Sequence, residues 1–162
     1  MRRLMFLIAL VLATAVPAVP AAYADRPHFI GTPECSKSSS GVLTCSGRAA
    51  GLGNGPVAAF LTADSVVATY ECVNHGGNVA PGQTASPNNV TGPTQNITPR
   101  NGQIRFSPSL SPPPTPSAKA AGCPGANWTV NRTSLTYFNV VLHLQQPPGT
   151  DVLTFNFGDI DP

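Results

Sequence analysis

After residue 24, no segment of helix length carries apolar residues at three-four spacing without a glycine or proline breaking it. That absence steers the chain toward strands, and period-two alternation recurs in its place. Leu43 and Cys45 share one face of residues 41–50. Val66, Ala68, Tyr70 and Cys72 share one face of residues 65–73, with Thr69 and Glu71 opposite. Ile104 and Phe106 alternate with Gln103, Arg105 and Ser107. Each run reads as a half-buried strand, apolar inward and polar outward. Residues 57–62 are apolar but poorly alternating, which fits a central strand.

The last third gives the clearest unit. Phe138, Val140, Leu142 and Leu144 fall on one face, Gln146-Pro147-Pro148-Gly149 turns the chain, and Leu153, Phe155 and Phe157 alternate on the return. This pattern predicts a β-hairpin. Just upstream, Trp128 and Val130 share a face, and the single tryptophan is expected to anchor the core. Two connections are long. Residues 74–101 are rich in Gly, Pro and Asn, with one edge strand expected near 89–98. Residues 107–126 carry five prolines before Cys123 and read as an extended, polyproline-like crossing. The expected fold is all-β, an immunoglobulin-like β-sandwich of about seven strands, with a small β-barrel as the alternative.

The first 24 residues have a different character. Arg2 and Arg3 precede an uncharged apolar run over 4–16, and Ala22-Tyr23-Ala24 puts small residues where a signal peptidase reads. Residues 1–24 are therefore expected to be a secretory signal peptide, the apolar run being short for a membrane span. Residues 25–40 are expected as a loose N-terminal arm and 41–162 as a single β-sandwich domain. No lipid-attachment cysteine stands at the cleavage site and no apolar anchor at the carboxyl end, so release without a stable membrane anchor is expected.

Export changes the reading of charge and of cysteine. Of nine Lys and Arg, two leave with the leader, and the seven that remain balance seven Asp and Glu. No basic cluster occurs along the sequence, which argues against a nucleic-acid partner. All four cysteines, Cys35, Cys45, Cys72 and Cys123, lie beyond the cleavage point. An even count in an exported chain predicts two disulfides, with three pairings open. A metal site would need closer ligand spacing. No C-x-x-C or H-x-x-x-H occurs, so neither metal nor cofactor is expected.

Catalytic signals are weak. There is no G-x-S-x-G elbow, His28 falls in the arm, and His143 alternates onto the polar face of its strand as a solvated side chain. Asp64 is expected in a turn and Glu71 on a polar strand face, with nothing to mark a converging carboxylate pair. His75 is the one histidine in a distinctive loop, between Asn74 and Gly76-Gly77. Matches to the N-glycosylation acceptor at Asn89, Asn96, Asn127 and Asn131 follow from the Asn- and Thr-rich composition.

Three strings occur together: Gly51-Leu52-Gly53-Asn54 ahead of a strand, Cys72-Val-Asn74-His-Gly76-Gly77-Asn78-Val-Ala-Pro81-Gly82-Gln83, and Cys123-Pro124-Gly-Ala-Asn127-Trp128. Asn101-Gly102-Gln103-Ile104, followed by Phe106, fits between the last two. Over roughly residues 41–157 the chain resembles an uncharacterised family of small exported bacterial β-sandwich proteins of actinobacterial type. The resemblance implies export, the fold class and a Cys72–Cys123 bridge, which would leave Cys35 to pair with Cys45. It implies no catalytic residue.

The expected role is that of an exported, non-enzymatic binding or envelope-associated module. Its partner would be a protein or a cell-wall component, and its binding loop would hold Asn74, His75, Asn78 and Gln83. A secreted protease inhibitor is the alternative, and a small secreted hydrolase ranks below both.

Overall fold

The alternating segments become eleven strands in a computed structural model that describes residues 26–161. The expected signal peptide lies outside the described residues. In chain order the strands begin with β1 (His28–Phe29), β2 (Glu34–Lys37), β3 (Leu43–Ala50) and β4 (Val57–Val73). Then come β5 (Val79–Pro81), β6 (Asn88–Thr91), β7 (Gln95–Ile97), β8 (Ile104–Phe106) and β9 (Ser109–Leu110). The long hairpin of β10 (Thr129–Gln145) and β11 (Asp151–Ile160) closes the chain.

All pairings are antiparallel and form two sheets, not a closed barrel. In the first, β3 is central: Ala49 faces Phe29 of β1 on one side and Ile104 of β8 on the other. In the second, β4 is central: Thr62 faces Val141 of β10 and Thr91 of β6. The edges are broken into short pieces. Taking β1 with β2, β5 with β6 and β7, and β8 with β9 as single lines gives first–second–fifth in one sheet. The other runs seventh–sixth–third–fourth. This is the order of an immunoglobulin-like sandwich whose fourth strand joins the second sheet.

The sheets meet through Leu43, Cys45, Ala49, Ile104, Phe106 and Leu110 on one inner face. Val57, Leu61, Val66, Leu135, Tyr137, Val140, Leu142 and Leu144 supply the other. Burying each large aliphatic contributes about 1.5–3 kcal/mol. Tyr137, fully buried, pins the layers together: its hydroxyl donates to the Gly41 carbonyl at 2.6 Å, with the Leu110 carbonyl at 3.2 Å. Gly41 has φ +89°, and a Cβ there would lie 2.6 Å from both Arg132 and Leu135, so only glycine brings its carbonyl to the phenol. Burial pushes the Tyr137 pKa up to about 12, against the opposing pull of Arg132 and a backbone hydrogen bond.

One sequence expectation fails at an alternation slip. Odd residues of β4 face inward through Ala63, and even residues do so from Val66. In β10 the switch falls between Tyr137 and Val140. Both strands therefore turn two consecutive residues outward at the same step. Phe138, expected inward, is 36% exposed, and Tyr137 takes the core position. Asn139 makes the slip at φ +49°. Its amide N–H donates to Asp159 and its side-chain NH2 to Asp64, each at 2.9 Å, while Asn156 donates to its Oδ1. Asp64 is thus a strand residue holding a bulge, not a turn residue.

Two further expectations change. Residues 25–40, expected as a loose arm, instead supply β1 and β2 and half of the Cys35–Cys45 disulfide. Phe29 of that arm packs edge-on against Phe106 at 6.1 Å and Phe155 at 5.8 Å, bridging the two sheets. Trp128, expected in the core, is only half-buried beside Gly125. It lies ahead of β10, in irregular backbone where alternation no longer dictates burial.

Candidate functional site

The second disulfide, Cys72–Cys123, ties the end of β4 to the proline-rich crossing. Both bridges match the pairing that the family resemblance implies. Two disulfides in a small all-β chain point to an oxidising, extracellular setting. Among the described residues, no helix is long and apolar enough to cross a membrane.

The bridge sits at the base of the loop singled out in the sequence. Asn74 begins the β4–β5 turn and organises it. Its Oδ1 accepts the N–H groups of Gly76 and Asn78, both at 2.9 Å, and its carbonyl accepts that of Gly77 at 3.0 Å. This is an asparagine turn, closed by the Asn74 N–H donating to the Asn78 carbonyl. Gln83 stands on the return, its N–H donating to the Ala121 carbonyl of the crossing at 2.9 Å. Gly82 between them lies so close to Tyr70 that a Cβ would meet its carbonyl oxygen at 2.9 Å. Asn74 and the Gln83 backbone are thus scaffold. His75, the Asn78 side chain and Val79 project into solvent, Val79 being 62% exposed.

A second polar cluster lies on the outer face of the same sheet, toward its other end. Asp151 accepts from His143 Nδ1 at 2.9 Å, which leaves Nε2 to accept from the Thr62 hydroxyl at 3.1 Å. The imidazole stacks on Phe60 at 4.9 Å and 8°. His143 is therefore held on three sides, where the sequence predicted a solvated side chain. The order hydroxyl–imidazole–carboxylate is that of a nucleophilic relay. Thr62 lies in the central strand, paired on both sides, with Val141 of β10 and Thr91 of β6. The cluster clamps β4, β10 and the start of β11 together.

A third site has no counterpart in the sequence reading. Arg48, Arg100 and Arg105 line one cavity of about 410 Å³, together with Ile97, Thr98, Gln103 and Ile104. Alternation already turned Arg105 outward. Its alignment with Arg48, 57 positions earlier in the chain, required the β3–β8 register. The local signal for Arg100 was Asn101-Gly102, a strong two-residue hairpin turn.

Compared with protein-family models, curated proteins and solved structures, the chain matches none.

Proposed function

We propose that the chain is an exported, non-enzymatic recognition module that presents the tip of residues 74–83 to a protein or cell-wall partner. The observation that carries this reading is the order built into the tip. Three hydrogen bonds to Asn74, a disulfide at the base and a backbone tie to the crossing fix the loop before any partner arrives. A pre-ordered loop loses less entropy on binding, so its exposed His75, Asn78 and Val79 are suited to recognition. The expected signal peptide supplies the route of export, and the family resemblance agrees with it.

The test is quantitative binding of the purified, oxidised protein to isolated cell walls and to culture-fluid proteins. A saturable partner whose affinity falls about tenfold or more in Val79→Glu supports the reading. Binding that ignores His75→Ala, Asn78→Ala and Val79→Glu alike refutes the tip as the working surface. The relay-like order of Thr62, His143 and Asp151 favours a hydrolase as the second reading. Turnover of an ester, peptide or glycan substrate, abolished by His143→Ala in a folded variant, would establish it.

A further inference from the structure

Three of the seven cationic side chains beyond the leader meet at one seam of the sandwich. The β3–β8 register sets Arg48 directly opposite Arg105, with Ala49 and Ile104 turned to the core beside them. Directly opposed like charges oppose sheet formation. Arg100 joins them because the turn Arg100–Gln103 is tightly made: Arg100 and Gln103 exchange backbone hydrogen bonds at 2.9 and 3.0 Å. Asn101 and Gly102 both take positive φ, and the Gly102 carbonyl accepts the Leu52 N–H. The turn is thus anchored to the backbone at Leu52.

Among the described residues, no carboxylate forms an ion pair with these arginines. The one histidine–carboxylate contact among the described residues is the hydrogen bond His143–Asp151, in the other sheet. Glu34, exposed on the neighbouring strand, is in register with Ser46 and forms no ion pair with Arg48. Arg132 and Lys37, by contrast, donate to the carbonyls of Ser40 and Leu135. The three guanidinium groups at the seam make no such bond among the described residues. Guanidinium is planar, weakly hydrated and matched to two oxygens of a carboxylate or phosphate. The cavity has the size of a small-molecule site, and the half-buried Ile97 gives it apolar wall.

We infer that the cavity bounded by Arg48, Arg100 and Arg105 binds an organic oxyanion, a carboxylate or phosphate group borne on an apolar body. The site is separate from the proposed recognition tip. Val57, at one end of β4, pairs with Ile97 beside the cavity, and Val73, at the other, pairs with Val79 in the tip.

The experiment titrates the oxidised protein with phenyl phosphate, benzoate, inorganic phosphate, acetate and benzyl alcohol, following arginine side-chain and backbone NMR signals. Saturable shifts at Arg48, Arg100 and Arg105 are expected with an aromatic anion, tighter than with its small counterpart and weakened by salt. Preference for phenyl phosphate or for benzoate identifies the anionic group. Arg48→Gln and Arg105→Gln, checked for unchanged melting, should each weaken binding by about tenfold or more. Arg132→Gln should leave it unchanged. Absence of saturation with every anion, equal binding of benzyl alcohol, or equal weakening by Arg132→Gln would overturn the inference.

Discussion

The tip at residues 74–83 and the arginine seam near residues 97–105 are opposites in how the fold treats their polar groups. At the tip, Asn74 meets the N–H groups that the turn would otherwise leave bare, and a disulfide locks the base. At the seam, Arg48 and Arg105 are set face to face without a carboxylate between them. A polar group satisfied inside the fold has a structural use to explain it. One held against its neighbours by the register calls for something from outside. The two ends should therefore respond with opposite signs when their defining residues are removed.

The largest effect belongs to the tip. Replacing Cys72 and Cys123 by serine opens a bridge across 51 positions, worth about 4 kcal/mol by loop entropy. Urea unfolding of the variant should show a loss of that order, with Cys35–Cys45 intact. A loss below about 1 kcal/mol would mean that the crossing is held by packing alone.

Next comes a pH effect that serves as a reference for both ends. Tyr137 has a folded pKa of about 12 against an ordinary 10.0. The unfolded phenol ionises first, so this stabilisation is complete below pH 10 and is lost as pH rises toward 12. The loss should reach about 2–3 kcal/mol. Tyr137→Phe should remove this alkaline step. Thermal melts from pH 8 to 12 would show it.

Smaller again is Asn74→Ala, which deletes two side-chain hydrogen bonds and should cost about 1–2 kcal/mol, with faster amide exchange at Gly76 and Asn78. Arg48→Ala sharpens the contrast most. Relief of the repulsion should leave stability unchanged or raise it by up to about 0.5 kcal/mol in low salt, while binding of aromatic anions is lost. A clear destabilisation would show that Arg48 has a structural partner after all.

Much of the fold was legible because burial in a sandwich imposes alternation that residues such as Val66, Ala68, Tyr70 and Cys72 display directly. The hairpin turn at Gln146–Gly149 was readable from turn chemistry, whereas the one edge strand expected near 89–98 is split into the two short pieces β6 and β7. Phe138 was misplaced because a bulge shifts the period by one, and Asn139 gives no sign in a simple apolar count that it adopts positive φ. Phe29 and the arm were missed because a two-residue edge strand carries no periodicity; its aromatic contacts exist only once both sheets are assembled. The tip was singled out as a candidate through its Asn and Gly residues, and Asn74 within it serves as scaffold. The arginine seam was hidden for a simpler reason. Net charge sums over the chain, whereas register decides which charges meet.

The claim on which the account rests is that the tip is ordered before any partner binds, and backbone 15N relaxation on the oxidised protein tests it most directly. The account predicts order parameters of about 0.85 from Asn74 through Gln83, level with β4 and β10. Values of about 0.6 or below there, in the presence of an intact Cys72–Cys123 bridge, would contradict it.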